Sequence, residues 1–457
     1  MRLNLSVLAL AAAAFLGLAS VSEAGIWTKQ TPMQTVAPPT VTAETLASFT
    51  ANKLGSTCPH TGAYIAPNEA LWFTQLADHF AHDSTATWQQ KYYMNDAYAA
   101  ASSPESPPPV HVYIGSEGPL SPNYLMSGLV HDAAKAHSAR MVALEHRFYG
   151  DSKPTADLSP ASLRLLSSQQ ALADLAAFLT AMGYTDRSKN GPITVWGGSY
   201  GGSLSAWFRL KYPHIAIASL ASSAPLEPEV AFYQYYEVVE DALTEFGGAT
   251  CVSNIRKALV TVEQKLQGGD AAALADDFLL CTAPPSGTSP ARADVLARET
   301  FFYSLTDRVA DIIQYHKDAA AQNIVTLCKD LATQASPYAG LASSMREWLR
   351  LRGSKCIDHS YADMVASMNS TRWGNGMMRQ WTWQTCTEFG FYQVRILFVF
   401  IAELTELELD HVNICIFLLI FIGFTLILFC TVVTHSTSLS HQSLAFLRFS
   451  LLCCCCC

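Results

Sequence analysis

The sequence predicts an α/β fold: a mostly parallel sheet covered by helices on both faces, with a helical segment inserted late in the chain. Three observations carry that reading. Short β-prone runs alternate with helical ones from about Trp72 to Ala221, the rhythm of parallel strands joined by helical crossovers. One such run, Ile193 to Trp196, leads directly into Gly197-Gly198-Ser199-Tyr200-Gly201 and then a helix stopped by Pro213. Beyond Pro225-Leu226-Glu227-Pro228 strand-like runs become scarce, and helical periodicity dominates from 229 to 375.

Taken in order, Val110 to Ile114 reads as a strand opening into the sharply bent loop Gly115-Ser116-Glu117-Gly118-Pro119. Arg140 to Leu144 is a second strand, closed by Glu145-His146-Arg147-Phe148-Tyr149-Gly150. Ser167 to Gln170 caps a helix that runs through Phe178 and Met182, its alanines and leucines recurring at helical spacing. The strand at Ile193 is followed by a helix over Ser205 to Tyr212 and another strand over Ala216 to Ala221. Five helical runs come next: Tyr233 to Phe246, Val252 to Leu266, Asp270 to Leu280, Glu299 to Gln314 and Asn323 to Gln334.

At 457 residues the chain is long enough for a full catalytic core plus an insertion. A net charge of −9, with no basic run, argues against a nucleic-acid partner. Met1-Arg2, an apolar stretch from Leu3 to Leu18 and Ser22-Glu23-Ala24 form a secretory signal, so residues 1–24 are expected to be removed before Gly25. Residues 25–71 form a lead segment. Secretion makes the body cysteines Cys58, Cys251, Cys281, Cys328, Cys356 and Cys386 candidates for disulfides. They contain no C-x-x-C pair or cysteine–histidine cluster, which argues against zinc. Asn369-Ser370-Thr371 is a candidate glycosylation site.

Strand, G-x-S-x-G, helix is the pattern of a nucleophile elbow, in which a serine sits on a strained turn above the end of a sheet. The bland alternative is a glycine-rich surface turn, and the flanking strand and helix favour the elbow. Gly197 and Gly201 lack the Cβ atoms that would crowd the turn. Ser199 is the candidate nucleophile of an α/β-hydrolase core spanning 72–228, with 229–375 as an inserted helical cap and 376–393 as the return to the core.

Further motifs occur in order: Phe73-Thr-Gln-Leu-Ala-Asp78-His79-Phe80, Gly115 to Pro119, Glu145 to Gly150, Gly197 to Gly202, and Arg379-Gln-Trp-Thr-Trp-Gln-Thr-Cys-Thr-Glu-Phe-Gly390. In these the chain resembles the secreted and lysosomal serine carboxypeptidase family that includes Pro-X carboxypeptidase, dipeptidyl-peptidase II and thymus-specific serine peptidase. The resemblance covers about Trp72 to Gln393. It implies hydrolysis of peptide bonds after proline near a chain end, with no metal or organic cofactor. It places the nucleophile at Ser199, one oxyanion donor at the Tyr200 N–H and a second in the loop around Glu117. It puts Trp381, Trp383 and Glu388 near the substrate pocket, with core packing the competing role for the tryptophans. It implies the pairs Cys251–Cys328 and Cys281–Cys356, leaving Cys386 without its family partner. Glu145 and His146 precede Ser199, against the serine–aspartate–histidine order of this fold, and are read as structural.

The resemblance stops at Gln393, before the segments that carry the family's catalytic aspartate and histidine. Asp410, His411, His435 and His441 lie in other contexts, so the last core strands and the base are expected to be missing. Residues 394–457 form an atypical tail. Its run from Val412 to Val433 is 22 residues, apolar and uncharged, enough to cross a bilayer core of ~30 Å. Two readings stand. The run is a membrane anchor, or the tail is translated noncoding sequence, for which Val394-Arg395 (the in-frame product of a splice-donor consensus) and the terminal Cys453 to Cys457 speak.

The expected function is therefore a serine exopeptidase of the secretory pathway, lysosomal, vacuolar or extracellular, acting on short proline-containing peptides and impaired in this form. The alternatives are a membrane-tethered pseudo-peptidase that binds peptides without cleaving them, and a lipase or esterase on the same fold.

Overall fold

The computed structural model describes residues 68–393, except 82–84, 100–105, 288–290, 318–319 and 375, together with two short strands upstream. The signal, most of the lead segment, Cys58 and the tail with its apolar run 412–433 lie outside the described residues. The upstream strands, β1 (Ser56–Thr57) and β2 (Tyr64–Ile65), pair antiparallel.

The main sheet has six strands: β3 (Leu71–Leu76), β4 (Thr87–Asn95), β5 (Val110–Ile114), β6 (Arg140–Leu144), β7 (Ile193–Gly198) and β8 (Ala216–Ser222). Their spatial order is β3-β4-β6-β5-β7-β8. β6, β5, β7 and β8 run parallel, whereas β3 and β4 join antiparallel at one end. The sequence reading missed β4 as a strand and did not expect the antiparallel end. Among the described residues, β8 is paired only with β7.

Alternation along the strands sorts side chains between two cores. Val112, Val142 and Val195 face helices α3 (Ser168–Ala181) and α4 (Ser199–Lys211), burying Leu172, Leu175, Phe178, Leu204 and Phe208. Met141, Ala143 and Tyr113 face the other way, toward α1 (Leu129–His137), with Val130 and Ala134 buried there. A short helix, α2 (Pro160–Leu163), sits between β6 and α3. The Ser167 side chain caps α3 by accepting the Gln170 N–H, as the sequence predicts.

After the sheet the described residues form α5 (Gln234–Gly247), α6 (Ala249–Gln267), α7 (Ala271–Phe278), α8 (Arg292–Gln314), α9 (Ile324–Thr333), α10 (Pro337–Arg352) and α11 (Tyr361–Asn369), with a further helix just before the last strand, Gly390–Tyr392. Helices α5 to α10 bury a core of their own, including Ile255, Val262, Phe278, Phe301, Leu327 and Met345. α10 starts at a Ser336 cap with Pro337 in its first turn, a start signal that the sequence reading passed over along with α11. Two disulfides staple this region, Cys251–Cys328 with S–S 1.99 Å and Cys281–Cys356 with S–S 2.01 Å. They are the pairs that the resemblance implies.

The region from 229, expected to hold few strands, opens with one. Glu229–Ala231 forms β9, parallel to β10 (Gly390–Tyr392), so the chain enters and leaves the helical region through one strand pair. Between them α12 (Met378–Gln384) passes into a π-helical turn over Thr385–Phe389. Among the described residues no helix is long and apolar enough to cross a membrane.

Candidate active site

β7 ends at Gly198 and α4 begins at Ser199, with no connecting residue. Ser199 sits at φ +55°, in the left-handed region that a side chain disfavours, and it is exposed. Local packing explains the glycines. A Cβ on Gly197 would fall on the Gly201 carbonyl and 2.8 Å from the Gly202 nitrogen, all backbone that cannot yield. A Cβ on Gly202 would come within 2.9 Å of the Ser222 carbonyl oxygen on β8. The first turn of α4 thus lies against the strand ends, and only glycine leaves it room.

The Tyr200 N–H belongs to that first turn, where helix N–H groups have no intrahelical acceptor and the helix dipole favours negative charge. The loop carrying Glu117 is tied to the same turn. Gly201 N–H donates to Ser116 Oγ at 3.1 Å, and the Ser116 hydroxyl donates to the Glu117 carboxylate. Gly115 N–H donates to the Leu144 carbonyl at 2.9 Å, which anchors the loop to β6. An oxyanion at this turn would meet oriented backbone dipoles.

Glu145 and His146 have structural work. The fully buried Glu145 carboxylate accepts the N–H groups of Leu120 (2.9 Å), Asp151 (3.0 Å) and Ser152 (2.9 Å) and the Ser152 hydroxyl (2.7 Å). Lys91 Nζ completes the set at 2.8 Å. His146 is buried, with Nδ1 2.6 Å from the Arg147 carbonyl oxygen and Nε2 3.0 Å from Tyr200 Oη. Burial disfavours its charged form and lowers its pKa to about 4.

Other imidazoles lie elsewhere. His79 bonds Asp174 at 2.8 Å, and Arg147 holds the same carboxylate. His214 follows the far end of α4, and 13 helical residues span about 20 Å. Among the described residues, no imidazole is hydrogen-bonded to the Ser199 hydroxyl. Asp410, His411, His435 and His441 lie outside them. No group of three histidine, cysteine or acidic side chains among the described residues is arranged to hold a metal ion.

The segment after the helical region packs behind Ser199. Trp381 lies 5.8 Å from the Tyr200 ring and 6.2 Å from Phe389. Trp383 packs on the cluster formed by Phe148, Tyr149 and Leu158. Glu388 accepts the Ser168 N–H (2.9 Å) and hydroxyl (2.7 Å), placing a carboxylate at the N-terminus of α3, and burial raises its pKa. Asn369 is exposed at the end of α11. Cys386 accepts a hydrogen bond from Tyr392 Oη at 3.1 Å. The sequence reading missed Gln384, buried between Tyr149 and Tyr200, because those partners lie 235 and 184 positions away.

Comparison with known proteins identifies the family. A family model described as serine carboxypeptidase S28 matches residues 75–396. The human thymus-specific serine protease is 36% identical over 335 residues, covering 70% of this chain and 63% of that protein. The mouse protein of the same name is 37% identical over 337 residues, covering 70% and 64%. The mouse lysosomal Pro-X carboxypeptidase is 29% identical over 353 residues, covering 73% and 69%. The chain thus spans less than two thirds of the thymus-specific relatives. Among solved structures, an acylaminoacyl peptidase of Pyrococcus horikoshii overlaps 37% of this chain and 24% of that one, at TM-score 0.25 and 12% identity, too little to argue from. With the family match covering most of the chain and following a strained serine turn, this chain belongs to the serine carboxypeptidase S28 family.

Proposed function

We propose that this chain derives from a serine exopeptidase of the secretory pathway, with Ser199 as nucleophile and the N–H groups of Tyr200 and of the loop at Glu117 as oxyanion donors. The observation that carries the reading is Ser199 itself, exposed at φ +55° between a strand and a helix whose glycines are sterically required. Attack by its oxygen on a peptide carbonyl would form a tetrahedral adduct, and collapse of that adduct would release the amine and leave an acyl-enzyme for water to cleave. Names of relatives support cleavage after proline and a lysosomal or other secretory location. The two disulfides favour an oxidising compartment, and exposed Asn369 is accessible to glycosylation there. Helices α5 to α10, stapled and built on their own core, serve with α11 as a cap that limits access to short peptides, with Trp381, Trp383 and Glu388 toward the pocket.

A second reading rests on a specific observation. His146, bonded to the tyrosine that follows Ser199, is committed to Arg147 and Tyr200, and a serine without a base is a weak nucleophile. Among the described residues, none is placed as a base for Ser199. This second reading makes the chain a peptide-binding relative with residual reactivity only. The test is cleavage of a proline-containing chromogenic peptide by this chain and by its Ser199→Ala variant. Equal rates are expected, and robust Ser199-dependent cleavage would restore the full peptidase reading. Ester substrates tried alongside exclude or reveal an esterase.

A further inference from the structure

Four buried side chains behind the nucleophile turn form one hydrogen-bonded chain with a single allowed direction. His146 Nδ1 faces the Arg147 carbonyl oxygen at 2.6 Å, so Nδ1 carries the ring proton and Nε2 accepts. The Tyr200 hydroxyl donates to that Nε2 at 3.0 Å. Having spent its one proton, it accepts from Gln384 Nε2 at 2.8 Å. Gln384 Oε1 in turn accepts the Tyr149 hydroxyl at 2.5 Å. The reverse orientation of the Gln384 amide would leave Tyr200, with one proton, facing two acceptors. Gln384, Tyr149, Tyr200 and His146 are 0%, 1%, 2% and 4% exposed.

Tyr200 follows Ser199 directly, so whatever fixes its ring fixes the backbone of the strained turn. Ring contacts with Phe389 (5.3 Å) and Trp381 (5.8 Å) hold it laterally. The hydroxyl bonds add a constraint at the tip of the ring. Gln384 is placed for this where α12 passes into the π turn at Thr385–Phe389, a distortion common at functional sites.

We propose that Gln384 is a positioning residue for the nucleophile turn: through the Tyr200 hydroxyl, with His146 as terminal acceptor, it holds the Tyr200 N–H and Ser199 in reactive geometry. This rests on the reading of Ser199 as nucleophile. The charged groups facing the chain are Glu117 and Glu388 beside Tyr149 and Tyr200, and Arg147 and Asp174 beside His146. The low pKa of His146, about 4, keeps the chain intact in mildly acidic solution.

The experiment compares Gln384→Leu and Gln384→Glu with the parent chain by amide hydrogen exchange and nitrogen-15 NMR. In the parent, His146 carries its proton on Nδ1. In Gln384→Leu, exchange at Gly201, whose N–H is bonded to Ser116 Oγ, accelerates at least 10-fold, while Val112 and Val142 in the sheet keep their protection. Gln384→Glu behaves like the leucine variant while its carboxylate is ionised. It returns to the parent rate as pH falls and the protonated carboxyl again donates to Tyr200 and accepts from Tyr149. A purely structural role gives no such reversal, and the reversal decides the matter even if Gln384→Leu fails to fold. Unchanged exchange at Gly201 in both variants, or an Nε2–H tautomer at His146, would overturn the proposal. Labelling of Ser199 by an aryl fluorophosphonate, compared with Ser199→Ala, reports separately on the nucleophile reading.

Discussion

Acidification should destabilise this fold through His146 by an amount the structure sets. The ring is buried with a folded pKa of about 4, against 6.5 for the free side chain. Burial is the main cause, and the neighbouring Arg147 charge acts in the same direction. Between those values the unfolded chain binds a proton that the folded chain refuses. The stabilisation is thus complete above about pH 6.5 and is lost as pH falls toward 4. At about pH 4.5 the linkage comes to about 2.5 kcal/mol. The assay is urea unfolding, followed by tryptophan fluorescence from about pH 7 to about pH 4.5, of the parent chain and of His146→Gln. The variant starts less stable because Tyr200 loses its acceptor. Its drop over the pH range should nevertheless be smaller by about 2.5 kcal/mol, since carboxylates titrate in both proteins and cancel. Equal drops in the two proteins would refute the assignment of a neutral buried imidazole.

His111, buried 3.3 Å from His137 and also held near pKa 4, should add a loss of the same sign, so that His111→Asn flattens the pH profile further. Glu145→Gln sets an amide NH2 either against the Leu120 N–H or against those of Asp151 and Ser152, and it removes the buried charge that faces Lys91. It should cost about 3 kcal/mol or more, read as a lower urea midpoint. Gly197→Ala drives a methyl group into the Gly201 carbonyl and should cost at least about 3 kcal/mol, visible as lost soluble expression or lost protection of α4. Removing Cys251–Cys328, which spans 77 residues, should lower stability by about 4 kcal/mol by the loop-entropy argument. Thermal unfolding of the paired serine variant measures it.

The parts legible in the sequence are those that neighbouring residues encode. A β-prone run, two glycines flanking a serine and a helical run predict the β7–α4 turn, because the backbone conformations involved are chosen within about ten residues. Ser167 announces α3 for the same local reason. Cysteine spacing alone left the pairing open, and the family resemblance supplied it. Tertiary structure alone decided the antiparallel end of the sheet, because β4 becomes a strand by lying between β3 and β6. It also joined Glu229 to Gly390 and set Glu388 on a helix that begins 220 positions earlier. Gln384 is the clearest case. It lies within the motif Arg379 to Gly390, yet nothing there tells it from its neighbours, and its meaning comes from two tyrosines that folding brings to the ends of one amide. Periodicity reports which face of an element is buried, whereas the partner of a buried polar group depends on packing between distant segments.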